Sequence, residues 1–205
     1  MKQRTPLQRS KVVAGSLTLG LMAVLVFPFS VEAATASTTI TSTIGSTINL
    51  FTTSTNVNLA ATPTGAGVQS TASDTVTVST NNSAGYNLSL AESNASSALV
   101  SGGNSIPAIT GSTFAAPIAL TANTWGYRVD GAGGFGAGPT TGASNAAIGA
   151  IKYAAVPATG SPQQLKTTAA TATNDTTTVW YSVAVNTATP SGAYTNSVTY
   201  TATTN

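Results

Sequence analysis

Side chains that could perform acid–base or covalent chemistry are scarce in this sequence. Its 205 residues include five acidic and seven basic side chains, and neither histidine nor cysteine is present. Histidine is the commonest general base and transition-metal ligand, and cysteine supplies thiolate nucleophiles and disulfides. A serine or threonine nucleophile needs an adjacent base, and neither lysine after residue 33 stands in a Ser-x-x-Lys arrangement. The composition therefore argues against an enzyme and against a disulfide-stapled fold.

The carboxylates that follow residue 33 are few and far apart: Asp74, Glu92, Asp130 and Asp175. Two carboxylates suffice for glycoside hydrolysis, but no two of these are close in the sequence, and each stands beside residues typical of turns or strand ends. We therefore expect solvated acids at the surface. Asp130 with Asn145 offers too few oxygens for a convincing Ca²⁺ site. No catalytic residue, metal site or cofactor is predicted.

Net charge separates the start of the chain from the rest. The first eleven residues contain four basic side chains, whereas from residue 34 onward only Arg128, Lys152 and Lys166 oppose the four acids. That later part is nearly neutral, and nucleic-acid binding requires a basic face. Nucleic acid is therefore not expected as a partner.

The N-terminal stretch has the three-part pattern of a secretory signal peptide. The basic start is followed by an apolar stretch through residue 29 and then by small residues that end at Ala33. The pattern predicts cleavage between Ala33 and Ala34, with cleavage after Ala36 as the alternative. An uncleaved membrane anchor is less favoured because glycines and a proline interrupt the apolar stretch. We expect a signal helix over residues 1–33 and one secreted or cell-surface domain over residues 34–205.

Strand-like alternation dominates the rest of the chain. In residues 178–203, Val179, Tyr181 and Val183 alternate with polar residues, and a Pro190-Ser191-Gly192 turn precedes a second alternating run. The sequence predicts a hairpin here and another over residues 74–91. Residues 55–60 and 124–129 also read as strands, whereas residues 161–177 read as a surface connection. Without an amphipathic helix after the signal, these runs predict a single antiparallel β-sandwich of immunoglobulin-like form.

Residues 38–50 alternate with unusual regularity. Ile40, Ile44, Ile48 and Leu50 share one face, and threonines occupy most of the other. The segment is predicted as one long strand or as two short ones broken at Gly45. An ordinary first strand is the simpler interpretation. A second interpretation is a donor strand that completes the sheet of another subunit by strand addition, which suits a terminal, uncharged, apolar segment.

Aromatic side chains at strand spacing provide the candidate ligand surface. Trp180 has the opposite parity to Val179 and Tyr181, so it should face outward when those two face the core. An exposed tryptophan on a polar sheet is a surface on which a carbohydrate or peptide can stack. We expect the glycine-rich residues 131–141 to form a flexible loop. Either this loop or the second sheet could instead cover Trp180, and we favour a covered Trp180.

The stretch PSGAYTNSVTYT at residues 190–201 carries a family resemblance. Its P-x-G-x-Y-x-x-x-V pattern resembles the last strand of bacterial immunoglobulin-like surface modules and of spore-coat-U-type and fimbrial subunits. The resemblance covers about a quarter of the chain and implies a non-enzymatic surface protein. The fimbrial and spore-coat-U families usually carry paired cysteines, which this chain lacks. The placement of Gly192 and Tyr194 also resembles a tyrosine corner, which implies a structural turn in which the Tyr194 phenol bonds upstream backbone.

Two functions follow as expectations. The first is a secreted structural protein of a bacterial cell surface, fimbria-like or part of a surface layer, that self-associates or binds other envelope proteins through strand edges. The second is an adhesin or carbohydrate-binding module that holds a glycan or host-surface ligand on Trp180 and the glycine-rich loop. Deletion of residues 34–51 should abolish only the first activity, and Trp180→Ala only the second.

Overall fold

The computed structural model describes residues 36–205, so the predicted signal helix and the cleavage residues Ala33 and Ala34 lie outside the described part. The chain divides into two compact units, Met1–Ser42 and Thr43–Asn205. Of the first unit, residues 36–42 are described, and they are exposed and form neither helix nor strand. The fold below is that of the second unit.

The second unit is built from strands alone. They are β1 (Ile48–Thr52), β2 (Val68–Thr80), β3 (Tyr86–Glu92), β4 (Leu99–Ser101), β5 (Asn104–Ile106), β6 (Ile118–Ala119), β7 (Thr124–Val129), β8 (Ala143–Ala146), β9 (Lys152–Tyr153), β10 (Gln163–Thr167), β11 (Ala172–Val185) and β12 (Val198–Thr204). The all-β prediction is confirmed, and so is the strand at residues 124–129. Among the described residues there is no helix of the length and apolarity that a membrane crossing requires.

All strand pairs are antiparallel, and they form two principal sheets. The larger sheet has the order β1-β2-β11-β7, with β8 also paired to β2, and the smaller sheet has the order β10-β3-β12. Two short pairs, β4 with β5 and β6 with β9, complete the set. The two central strands β2 and β11 are paired over most of their length, from Val185↔Val68 to Ala172↔Thr80.

One apolar core joins the two sheets. Val76 and Val179 from the larger sheet belong to the same buried cluster as Tyr86, Leu88 and Leu90 from the smaller sheet. In each strand these residues recur at every second position, which places them on one face. Full burial of each such side chain contributes about 1.5–3 kcal/mol relative to exposure, so this shared core is the main link between the sheets.

The opposite face of the larger sheet is also covered. Ile109 and Leu120 from connecting segments and Tyr153 of β9 form a second cluster with Ala184 of β11. The central strands are therefore buried on both faces, which explains why β11 is buried continuously from Val179 to Val185. An antiparallel strand with one solvated face would show alternation instead.

Both predicted hairpins are wrong. β2 pairs with β1, β8 and β11, whereas β3 lies in the other sheet with β10 and β12. β11 and β12 are likewise in different sheets, joined by residues 186–197. Alternation reveals which side chains share a face, but it carries no information about the neighbouring strand. Each pair of consecutive strands therefore spans the core instead of forming a ladder.

The connection between β2 and β3 depends on Gly85. Its φ of +84° lies in the left-handed region, and a Cβ built on it would lie 2.2 Å from the carbonyl oxygen of Thr168. Only glycine avoids both the strain and the collision. The chain thereby turns sharply enough for β3 to pack under β2.

Residues 161–177 were predicted as a surface connection, and that prediction is wrong. They contain β10 and the first part of β11. Both strands escape prediction because their threonine-rich sequence lacks strong apolar alternation. In the edge strand β10, only Leu165 is buried.

Candidate functional site

A groove opens on the side of the core where β1 and β12 are the edge strands. It consists of two adjoining cavities of about 370 Å³ and 680 Å³. Both are lined by Val57 and Leu59 on one side and by Leu99 and Asn196 on the other. The shared walls make one elongated depression.

The first wall of the groove is the segment that follows β1, residues 53–63. Its start is fixed to β2, because Thr53 N donates to Thr75 O at 3.0 Å and Ser54 N donates to Asp74 Oδ1 at 3.1 Å. Beyond Ser54 the backbone leaves the ladder, although Val57 is still partly buried against the core.

The prediction of a strand at residues 55–60 is therefore wrong. These residues would have to pair with the edge of β2, and another strand already occupies that edge. β8 occupies that edge at Gln69 and Thr71. Ser70 of β2 contacts both β8 and the segment at residues 55–60. Its hydroxyl donates to Ala60 O at 2.5 Å and accepts from Asn145 N at 3.2 Å.

The second wall is β12, and the floor is aromatic. Val198 and Tyr200 of β12 line the smaller cavity together with Trp125 and Tyr181, which are buried in the core. Val183 and Val185 line the larger cavity. Core side chains are thus reached directly from this side of the two sheets.

The outer edge of β12 has free backbone groups. Ser197 O accepts from Ser93 N at 2.9 Å, in register with the β3–β12 ladder, so the odd-numbered residues direct their backbone groups to β3. Alternate residues of an antiparallel ladder point the other way. The N–H and C=O groups of Val198, Tyr200 and Ala202 therefore face outward, and no strand within the described part of the chain pairs with them.

The predicted donor residues divide at Gly45. Ile48 and Leu50 lie in β1, and both are partly buried against the core. Ile40 and Ile44 are 91% and 83% exposed in a segment without secondary structure. The prediction of a strand over all of residues 38–50 is wrong before Ile48, since residues 38–47 have no secondary structure.

Trp180 lies on the opposite face from Val179 and Tyr181, as its parity predicts, but it is only 5% exposed. Its indole Nε1 donates to Asp130 Oδ2 at 2.7 Å. The structure thus buries the expected stacking surface. Cover of Trp180, the alternative favoured from the sequence, is what the structure shows, although period-two alternation alone does not tell whether the outer face of a sheet is packed.

The glycine-rich residues 131–141 pack on the same face. Arg128, fully buried and paired across the ladder with Trp180, donates to Gly136 O at 2.9 Å, and its guanidinium lies 5.6 Å from the Phe135 ring centre. A Cβ on Gly138 would collide with that guanidinium. The loop expected to be flexible is therefore held by a buried cation that sequence reasoning did not identify.

Gly192 and Tyr194 lie in the connection from β11 to β12. The Tyr194 hydroxyl donates to Pro190 O at 2.8 Å. A Cβ on Gly192 would lie 2.5 Å from Ser101 Oγ. These contacts shape the rim of the larger cavity, which Pro190, Gly192 and Tyr194 also line.

Two acids expected in solvent are buried, so the prediction is wrong for Asp74 and Glu92, which are 3% and 1% exposed. Asp74 accepts from Thr53 Oγ1 at 3.0 Å and from Ser54 N, and it lines the smaller cavity. Neither oxygen of Glu92 has a hydrogen-bond partner in the described structure. Burial raises the pKa of Glu92 to about 7, against a smaller lowering by Asn196.

Asp175 takes part in a small polar cluster between strands. It accepts from Lys166 Nζ at 2.5 Å and from Tyr86 Oη at 2.8 Å. Burial alone would raise the pKa of Asp175, but these hydrogen bonds and the lysine charge outweigh it and lower the pKa. Lys166 and Asp175 thus form an ion pair between β10 and β11.

No family model, curated protein or solved structure matches the chain. Within the described residues, no group of three or more acids is placed to hold a metal ion. The features that remain are an open groove lined by both apolar and polar side chains, the outer edge of β12, and an exposed apolar segment.

Proposed function

We propose that this chain is an exported, non-enzymatic structural subunit of a cell surface that assembles through β-strand edges. In this proposal its two sheets form an immunoglobulin-like sandwich, and residues 38–46 act as a donor strand toward a neighbouring subunit. Secretion through the N-terminal signal and a location at the cell surface belong to the same proposal.

The observation that carries it is the exposure of Ile40 and Ile44, at 91% and 83%. Large apolar side chains repeated on one face of an uncharged segment gain about 1.5–3 kcal/mol each on full burial. Segment 38–46 contains no charged residue and no proline, so nothing in it opposes pairing with another strand edge. An exposed segment of this kind favours association.

The test is protein extracted gently from producing cells and run on a denaturing gel with and without boiling. Strand-mediated polymers withstand detergent and fall apart on heating, so a heat-sensitive ladder is expected. A single band at monomer mass in both lanes contradicts the proposal.

A second candidate is a ligand-binding module, since the smaller cavity combines Trp125 and Tyr181 with the amides of Asn56 and Asn196. Aromatic faces beside amides suit a sugar ring. The two candidates separate in one experiment: Ile40→Asp with Ile44→Asp should abolish assembly and leave glycan-array binding unchanged. Glycan binding by the unaltered protein that survives both changes, with no change in assembly, would favour the second.

A further inference from the structure

We infer that the smaller cavity of the groove binds a quaternary ammonium group, with the Asp74 carboxylate as its counter-charge and aromatic rings as its walls. The rings belong to Trp125, Tyr181 and Tyr200. This inference goes beyond the proposed assembly and does not depend on it, since the whole cavity lies within the unit Thr43–Asn205. Its volume of about 370 Å³ is at the small end of the usual range for ligand pockets, about 300–1,000 Å³.

Asp74 supplies the negative charge of this cavity, although it is only 3% exposed. Burial raises the pKa of the phenols of Tyr181 and Tyr200, so both stay protonated, and Asp74 is the one ionised side chain among the described residues that line the cavity. The ion pairs of the described chain use two other acids, Asp130 and Asp175. A buried carboxylate without a counter-charge is costly, and a bound cation removes that cost.

The carboxylate is held in place with one oxygen left for a ligand. Asp74 has the parity of Val76 in β2, so its side chain lies on the inner face of the larger sheet. Its Oδ1 accepts from Thr53 Oγ1 at 3.0 Å and from Ser54 N at 3.1 Å, and no hydrogen bond within the described residues uses Oδ2. The charge is therefore positioned before a ligand arrives, which lowers the ordering cost of binding.

The aromatic and apolar walls suit a cation that carries methyl groups. Trp125 and Tyr181 are buried, and the hydrogen bond of 2.7 Å between the Tyr181 and Tyr200 hydroxyls fixes both phenol rings. Tryptophan and tyrosine rings attract cations within about 6 Å of the ring centre, and quaternary ammonium groups are recognised in this way. Val57 and Leu99 add apolar surface against which methyl groups can pack.

Hydrogen-bond groups of the lining are already engaged, which disfavours a neutral sugar. Trp125 Nε1 donates to Ser97 O at 2.8 Å. Asn196 Nδ2 donates to Ser96 O at 3.1 Å, and its Oδ1 accepts from Ser197 N at 2.7 Å. A sugar needs several such groups, and a primary ammonium needs acceptors for three N–H donors. A quaternary ammonium needs only negative charge and aromatic or apolar contact.

Calorimetric titration of the exported protein with choline and with its uncharged carbon isostere, 3,3-dimethylbutan-1-ol, tests the inference without any substitution. We expect choline to bind and the isostere to bind at least about tenfold more weakly, because it lacks the charge. Potassium chloride at the same ionic strength controls for screening. Equal affinities, or no binding of choline, overturn the site. A neutral methyl glycoside that binds where choline does not would assign the cavity to a sugar instead.

Asp74→Asn places the charge at this residue. The amide keeps an oxygen that can accept from Thr53 and Ser54 but removes the charge, so we expect choline to bind about tenfold more weakly. The matched control is Asp130→Asn, whose side chain bonds Trp180 on the other face of the larger sheet, and it should bind choline like the unaltered protein. Equal loss in both variants, or no loss in Asp74→Asn, overturns the assignment. If Asp74→Asn does not fold, the comparison of choline with its isostere still decides.

Quaternary ammonium groups occur on free small molecules and on lipid headgroups. Sedimentation with phosphatidylcholine vesicles separates these sources. Protein that binds choline and sediments with the vesicles takes the headgroup, whereas protein that binds choline and stays in solution takes a free molecule, and either result supports the site.

Discussion

The hydroxyl groups of Tyr181 and Tyr200 lie 2.7 Å apart and form a hydrogen bond between the two sheets. Tyr181 belongs to β11 and Tyr200 to β12, the strands that the sequence predicts as a hairpin. Burial raises the pKa of both phenols, and the charge of Asp74 adds to the rise. Both hydroxyls therefore stay protonated, and the bond closes the floor of the groove.

Removal of either hydroxyl should destabilise the fold. Tyr181→Phe leaves the Tyr200 hydroxyl without its partner, and we expect a loss of about 1–2 kcal/mol in the free energy of unfolding. Tyr181→Phe with Tyr200→Phe should cost less than the sum of the single changes. Urea denaturation of the three variants measures this coupling. Strictly additive losses would contradict a direct bond.

Glu92 should make the protein more stable in mild acid. Its pKa rises from 4.5 to about 7 on folding, so between these values the folded state binds more protons than the unfolded state. The contribution of Glu92 to the free energy of unfolding is therefore largest below about pH 4.5. It decreases by about 3 kcal/mol as the pH rises to 7. Denaturant unfolding over this pH range measures the slope.

The control for Glu92 is Glu92→Gln, which cannot ionise. Its unfolding free energy should be nearly independent of pH in the same window. The opposite linkage of Asp175, whose lowered pKa removes stability as the pH falls, lies at more acid pH. A natural protein whose stability rises from pH 5 to 7 would show that Glu92 is ionised and solvated in the folded state.

Lys166 should hold the pKa of Asp175 down. In Lys166→Met, one hydrogen bond and a positive charge are lost, and burial then raises the pKa of Asp175 toward or above its ordinary value. Both side chains are about one-third exposed, so the loss of stability should stay below about 1 kcal/mol. Carboxyl titration by NMR measures the shift, with Lys152→Met as the control. Equal pKa values in the two variants would contradict the ion pair.

Gly85 should tolerate no side chain. Gly85→Ala combines a positive φ with a contact of 2.2 Å to Thr168 O, so we expect a loss of more than about 2 kcal/mol. Gly102 also has positive φ, but a Cβ there would meet nothing within 4 Å. Thermal unfolding of Gly102→Ala therefore separates backbone strain from collision. Equal losses at both sites would mean that collision with Thr168 adds nothing.

The sequence predicted reliably which face of a strand each side chain occupies. It placed Val179, Tyr181 and Val183 on the inner face, and it also contained a signal for the buried acids. Asp74 shares its parity with Val76 and Val78, and Glu92 shares its parity with Leu88 and Leu90. We expected solvated acids because acidic residues are rarely buried, and that general preference outweighed the position of these two acids in their strands.

The sequence did not predict which strands pair with each other. The hairpins failed because pairing is decided by tertiary contacts, such as β8 taking the β2 edge from residues 55–60. The groove could not be predicted for the same reason, because it depends on β1 and β12 becoming the edge strands of their sheets.

In the proposed function, the apolar side chains of residues 38–46 drive assembly. The most direct measurement of that role is the molar mass, by light scattering after gel filtration, of exported protein carrying Ile40→Asp and Ile44→Asp, beside a control carrying Thr41→Asp and Thr43→Asp. We expect monomers for the isoleucine variant and retained polymers for the threonine control, because a charge buried against a neighbouring subunit costs far more than one facing water. Polymers of equal mass in both variants, or monomers for the unaltered protein, would contradict that role.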